Sequence, residues 1–386
     1  VASLIKKISN FVASYKLSCV LFLLLLLLTY LGTLYQVENG LYQSQKKYFE
    51  SLFLIHWAYG QVPVPLPGGY LVMLLAFINL FWGVVVRFQL KWAKVGIVTA
   101  HAGILVLLAG AFVSYVYSVN GRMILYEGET SNEVENPYKW EIGVADVSNG
   151  GSAREYIVQQ EEFEDLHGDA SRVLTFPDLP IDLEIKSYAP NAELRGRGQD
   201  TSGAEIAILP LEKENEQNLA GASISVIDKT TGERQEVLLW AGSMKPSIVE
   251  TGGKRLRLAL RHQRVVLSFD IRLDKFTRNL HPGTNLPQEF VSEITKTEDG
   301  LSQQFKVSMN EPFRHLGYTF YQSSWGPQNA GPGERLYSVF SVVRNPADQV
   351  PLIACIITMI GLVLHFARKL TIYLRKAKAQ TVCVDG

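Results

Sequence analysis

The chain has 386 residues, 47% hydrophobic and 19% charged, with 37 Lys and Arg against 37 Asp and Glu. A formal net charge of zero excludes a generally basic nucleic-acid binder, so no nucleic-acid partner is expected. Of the three cysteines, Cys19 and Cys355 fall in apolar runs, where they read as small core residues, and Cys383 lies in a basic tail. There is no CxxC or CxxCH, so the chain is neither a thiol–disulfide carrier nor itself a c-type cytochrome.

In chain order, residues 17–35 form the first apolar run, with unbroken leucine from 23 to 28 and no small-residue cleavage pattern after it. It is expected to be an uncleaved anchor. Residues 69–86, 95–117 and 350–367 also meet the rule of roughly 17–25 residues per spanning helix. Lys6, Lys7 and Lys16 precede the first run, and Arg87, Lys91 and Lys94 fill the gap between the second and third. Arg368, Lys369, Arg375, Lys376 and Lys378 follow the fourth. By the positive-inside rule these segments are cytoplasmic, and 36–67 and 119–349 lie outside. The expected organisation is three spans in 1–118, an exported domain in 119–349, and a fourth span with a cytoplasmic tail in 350–386. Residues 42–59 hold Tyr48, Phe49, Leu52, Phe53, Ile55, His56, Trp57 and Tyr59. They read as an outer interfacial amphipathic segment with aromatic anchors, stopped by Pro63, Pro65 and Pro67.

His101 sits inside the third run. An ionisable imidazole in hydrocarbon is costly and normally persists when something binds it. Gly96, Ala100, Gly103, Gly110 and Ser114 form a stripe nearly without side chains, which another helix or a flat porphyrin could approach. The alternative is a membrane histidine hydrogen-bonded to a neighbouring helix. His365, in the fourth run, is expected at a depth comparable to His101, where two imidazoles could ligate one haem iron. Its alternative is snorkelling to the headgroups beside Arg368 and Lys369.

From Gly121 the helical period gives way to strand-like alternation, as in Leu267, Phe269, Ile271 and Leu273, or Ile181, Leu183 and Ile185. Turn clusters at 149–151, 228–232 and 251–253 separate short runs, which predicts an exported all-β, sandwich- or barrel-like antiparallel domain. Residues 179–188 echo 267–276, and Asn191 then matches Asn279, an arrangement that favours two lobes. Residues 193–204 and 212–221 read as exposed excursions. His167 and His262 read as solvated, one in a loop and one at a strand end. His281 and His315 lie in turn-like sequence, and His56 belongs to the outer interface. No GxSxG, HExxH or Walker A string occurs, and Gly196-Arg-Gly198 lacks a dinucleotide-site context. The outer domain reads as a binding or positioning module rather than a hydrolase.

The order of elements and several strings resemble the ResB/CcsB family of System II cytochrome c biogenesis. Val95-Gly-Ile-Val-Thr-Ala-His101-Ala-Gly-Ile-Leu is similar to the family's histidine-bearing helix, followed by Gly121-Arg-Met-Ile-Leu-Tyr-Glu-Gly-Glu129 at the entry to the exported domain. His281-Pro-Gly-Thr-Asn-Leu-Pro287, Phe290-Val-Ser292, Met309-Asn-Glu-Pro312, Gly317-Tyr-Thr-Phe-Tyr-Gln-Ser-Ser-Trp325 and Asn345-Pro346 resemble further family strings. The resemblance implies a bacterial inner-membrane protein with its large domain in the periplasm. It implies work with a CcsA-type partner to move haem b, held transiently and shared, and to present it to apocytochrome c. Thiol-reducing maturation factors would be indirect partners, and membrane lipid surrounds the spans. The position matching the family's haem-binding membrane histidine is His101. The six tryptophans are scattered singly, with no WWD-type motif, so a haem-presenting surface would come from the partner. The chain would then be a co-catalytic or non-catalytic subunit of a haem lyase complex. Two other classes stay open: a membrane b-type haem electron carrier, and a cofactor-free membrane-anchored envelope scaffold.

Overall fold

The computed structural model describes residues 2–58, 60–87, 94–148, 154–166, 170–195, 205–243, 245–283, 287–327, 331 and 333–384. Two compact units result, one from residues 1–119 with 345–386 and the other from 120–344.

The first unit is helical. A short amphipathic helix α1 (Ala2–Val12), not anticipated from the sequence, precedes α2 (Tyr15–Ser44), whose first turn is capped by Ser14 Oγ accepting from Leu17 N at 3.2 Å. Gly40 takes a left-handed φ of 81° inside α2 and turns the chain back, so that Ser44 Oγ donates to the Gly32 carbonyl at 2.7 Å. One π-helical turn, Gln45–Phe49, follows. The expected interfacial segment, 42–59, runs from the end of α2 through this turn into β1 (Phe53–Ala58), which pairs with β2 (Val62–Pro67) as a hairpin. Pro63, Pro65 and Pro67 do not stop it. They stand opposite Trp57, Ile55 and Phe53 at alternate positions, which a two-stranded sheet tolerates because each strand has a free edge.

Then come α3 (Gly69–Arg87), α4 (Val95–Tyr117) and, after the β unit, α5 (Val350–Val384). Among the described residues, four helical segments are long and apolar enough to cross a membrane: Tyr15–Phe49, Gly69–Val86, Val95–Tyr117 and Val350–Lys376. Cys19 and Cys355 are exposed on these helices, which corrects their assignment to a core. Asn79 is the buried polar side chain of α3. It accepts from Ser18 Oγ at 2.6 Å and donates to the Val12 carbonyl at 2.5 Å, so its burial leaves nothing unmet.

The second unit is antiparallel β in every pairing among its described strands. Its strands are β3 (Val119–Tyr126), β4 (Thr130–Asp146), β5 (Glu155–Gln159), β6 (Arg172–Thr175), β7 (Ile181–Ala189), β8 (Ala192–Arg195) and β9 (Glu205–Ile208). They continue with β10 (Gly221–Asp228), β11 (Arg234–Trp240), β12 (Ser247–Thr251), β13 (Lys254–Leu280), β14 (Pro287–Glu298), β15 (Leu301–Ser308), β16 (Phe313–His315), β17 (Tyr318–Gly326) and β18 (Tyr337–Arg344). One sheet runs β11-β10-β7-β6, and a larger one runs β15-β14-β13-β4-β3-β18-β17-β16, with β12 on β13 and β5 on β4.

Two separate apolar cores form, as the sequence echo suggests. Ile181, Leu183 and Ile185 of β7 are fully buried in the first, with Ile142, Val144, Leu256 and Leu258. Phe269, Ile271 and Leu273 of β13 occupy the second, with Val134, Phe320 and Phe340. The matched asparagines differ: Asn191 is buried and accepts from Leu219 N at 3.2 Å, whereas Asn279 is exposed. β4 and β13, of 17 and 27 residues, pass through both cores. Their register breaks between them, where His262 faces Trp140 and Gln263 faces Asn136.

At that break Arg261 holds two carboxylates, Glu141 at 2.9 Å through Nε and Glu155 at 2.8 and 2.6 Å through its two terminal nitrogens. Glu141 is almost fully buried, and Arg264 lends it a backbone N–H at 3.3 Å and pairs its own guanidinium with Glu133. The hydrogen bonds from Arg261 hold the Glu155 carboxyl below the usual carboxylate range. The sequence gives no sign of this knot, because alternating Arg and Glu on exposed strand faces look the same.

Candidate functional site

α4 and α5 are antiparallel neighbours joined along the small-residue stripe. A Cβ placed on Gly96 would lie 2.5 Å from His365 N, and one on Gly103 would lie 2.8 Å from the Ala354 carbonyl. On α5 the reciprocal position is Gly361, where a Cβ would lie 2.7 Å from the Gly96 carbonyl and 2.8 Å from Ala100 Cα. Only the absence of side chains lets the two backbones come this close. Ser114 Oγ closes one end of the stripe by donating to Asn345 Oδ1 at 3.1 Å, which also accepts from Ala347 N at 2.9 Å. The stripe is therefore filled by a helix, and a porphyrin does not share it.

His101 points elsewhere. With ~100° per residue, it lies about 140° round α4 from Gly96 and ~7.5 Å along the axis. It shares a flank with Ile104, one turn on. Its Nδ1 meets the Ile97 carbonyl at 2.8 Å. A carbonyl oxygen can only accept, so in this contact Nδ1 is the donor. Metal-binding histidines commonly donate one ring N–H to a carbonyl in this way. In this respect the residue fits one that could hold haem iron.

His365 stands level with Gly96, not with His101, and its ring lies against Phe366 at 5.4 Å between centroids. The structure does not bring the two histidine positions to one level. Beside the helix pair runs an apolar groove of about 660 Å³, lined by Ile104 and Leu107 of α4 and by Met359, Leu362, Val363 and Phe366 of α5.

The other histidines fall into structural settings. His56 Nδ1 is 2.7 Å from the hydroxyl of the buried Tyr48. His262 is not a solvated strand end. It lies within β13, stacked on Trp140 at 4.0 Å and 19°, and burial, with the Arg122 charge adding to it, pushes its pKa down to about 4. His315 Nε2 contacts Glu298 at 2.8 Å. His281 is exposed in a turn, and His167 and Gly196-Arg-Gly198 lie outside the described residues.

The 317–325 string becomes β17 and its start. Phe320 is buried in the second core, and Trp325 stacks on Phe276 at 5.7 Å and 17°, with the Arg278 guanidinium 4.9 Å from its ring centre. These are packing contacts, and they hold the resemblance strings 290–292 and 317–325 side by side: Phe290 lies 6.2 Å from Trp325, and Ser292 Oγ donates to Gln322 Oε1 at 2.6 Å.

No curated relative matches the chain. Residues 224–333, which contain the second core's β13 to β17 and four of the strings named above, match the model of the ResB-like family.

Proposed function

We propose that the chain is a membrane-anchored subunit of a System II cytochrome c maturation complex, acting with a CcsA-type partner to carry haem to apocytochrome c. The observation that carries the reading is the ResB-like match over residues 224–333, within a chain that also has four helices able to span a bilayer. Under this reading α2 to α5 cross the bacterial inner membrane and the β unit lies on the periplasmic side, in line with the lysines and arginines at the other helix ends.

His101 is the haem ligand in this proposal, because its Nδ1–H is fixed on Ile97 O, as in many metal-binding histidines. The bound haem would supply the vinyl groups that become thioethers on the apocytochrome. In this chain His101 would hold the haem, and Ile104 and its neighbours would keep that part of the site apolar. A further residue that would hold the haem is assigned to the partner, since the His365 backbone stands level with Gly96. The b-type carrier built on both histidines has no such support.

The test is co-purification of the chain with its partner, followed by visible absorption and by cytochrome c maturation in cells. His101→Ala should lower both bound haem and maturation, with partial recovery on adding imidazole. Undiminished haem in that variant would remove the ligand role, and normal maturation without the chain would remove the function.

A further inference from the structure

β16 and β17 are joined by a two-residue turn of Leu316 and Gly317, with His315 paired to Tyr318. Both turn residues have positive φ, 46° and 79°. Asn-Gly suits such a turn; leucine strains it, because its Cβ crowds the backbone there. The Leu316 side chain is nonetheless 54% exposed at the tip. An apolar side chain that is both strained and uncovered points to a surface that covers it.

A second tip stands beside the first. β14 and β15 turn through Asp299 and Gly300, and Glu298, just before the turn, meets His315 Nε2 at 2.8 Å. Deeper along the same two hairpins Phe305 and Phe313 lie 4.6 Å apart, so both tips project from the same end of the second core. Leu301, on the strand face shared by Phe305 and Val307, is 72% exposed there.

The same end carries both connections to the helical unit. Tyr318 pairs with Arg344, the last residue of β18. Glu127 N donates to Leu336 O at 3.0 Å, next to the other end of β18, which sets β3 antiparallel to it and puts Val119 at the Arg344 end. Ser118 alone separates α4 from β3, and α5 starts at Val350. Exposed arginines surround the tip: Arg314 precedes it, and the Arg344 guanidinium lies 5.3 Å from the Tyr318 ring centre. An exposed leucine at one tip and a second just after the Asp299–Gly300 turn, with arginine and tyrosine nearby, suit an interfacial membrane anchor.

We propose that the Leu316 and Leu301 tips insert into the headgroup–acyl boundary of the bilayer, with Arg314 and Arg344 meeting lipid phosphates. The inference rests on the reading that α2 to α5 cross that bilayer. It is tested on the full chain, with Cys19, Cys355 and Cys383 replaced by serine, in vesicles of phosphatidylcholine and phosphatidylglycerol. Spin labels are placed at Leu316→Cys and, separately, at Leu301→Cys. Leu362→Cys on α5 serves as the membrane reference and Thr231→Cys, at an exposed turn by the first core, as the water reference.

Collisions with oxygen and with a water-soluble nickel chelate are then measured. Labels 316 and 301 should behave as 362 does, gaining oxygen and losing nickel contact, while 231 keeps nickel. If 362 is oxygen-rich but 316 and 301 stay open to nickel, the tips are in water and the inference fails alone. Protection from both reagents would mean a protein surface, a partner or second copy, and would equally overturn it. A nickel-accessible 362 would overturn the membrane reading and the inference together. Should the 316 label disturb the turn, the 301 label decides by itself.

Discussion

Gly96 and Gly361 face each other backbone to backbone, a Cβ on Gly361 falling 2.7 Å from the Gly96 carbonyl. The contact is with main chain, which cannot swing aside as a flexible side chain would. Gly361→Leu should therefore force the helices apart, at a cost of about 1–3 kcal/mol. The expected result is a lower yield of folded protein in detergent and a lower melting temperature. Val363→Leu, on the exposed face of the same helix, should change neither, which separates a packing effect from a general one.

Much of the first unit was legible because a long apolar run and a stripe of small residues have few structural solutions. What the stripe binds was not legible: glycine at 96 admits a helix or a flat ligand equally, and the matching Gly361 lies far away in sequence. The hairpin of residues 53–67 was misread because its prolines look like terminators until their partners across the ladder are known. In the β unit, alternation disclosed the strands, and the echo of 179–188 in 267–276 disclosed two cores. The His262–Trp140 stack was hidden because it depends on a register break that no local pattern encodes. For His101 the type of residue was visible, but its hydrogen bond to the Ile97 carbonyl depends on a side-chain rotamer that no sequence pattern encodes.

The orientation of the chain has its own test. Phosphatase, which is active only outside the cytoplasm, should be active when fused after Thr130 and inactive when fused after Lys378. The reason is the clustering of basic residues at one set of helix ends. The reversed pattern would place the β unit in the cytoplasm and end the maturation proposal.

Arg261 serves Glu141 and Glu155 together, and Glu141 is almost fully buried. Removing the guanidinium strands a buried carboxylate, which costs about 3 kcal/mol or more. Arg261→Met should lower the urea midpoint of the β signal in circular dichroism at pH 7. Adding Glu141→Gln and Glu155→Gln should recover most of that loss, since no unpaired charge then remains. Failure of the triple variant to recover would mean that Arg261 matters through packing of its stem.

His262 gives a pH dependence with a definite sign. Its pKa falls from an ordinary 6.5 to about 4 on folding, through burial and the nearby Arg122 charge. Between those values the unfolded chain binds the proton and the folded chain does not, so stability is full above pH 6.5 and declines as pH falls towards 4. The loss amounts to about 2 kcal/mol once partial exposure is allowed for. His262→Phe keeps a ring against Trp140 and removes the titration. It should flatten the melting profile between pH 6.5 and 4 relative to the parent, and an unchanged slope would show that other groups set it.

Trp325 joins three elements, stacking on Phe276 of β13, lying 6.2 Å from Phe290 of β14 and taking Arg278 over its face. None of these groups is placed to act as acid, base or nucleophile, and large rings contribute mainly buried area and ring contacts. Trp325→Ala opens a void beside Phe276, which is itself 3% exposed, and should cost about 2–3 kcal/mol. Trp325→Phe keeps a stacked ring and should cost less than half as much. The measurements are the yield of folded protein and, after co-purification with the proposed CcsA-type partner, the haem absorbance per assembled complex. An architectural role lowers the yield in the order alanine then phenylalanine and leaves the haem per complex unchanged. A variant that assembles normally but holds less haem, or holds it without delivering it, would instead make Trp325 part of the functional surface.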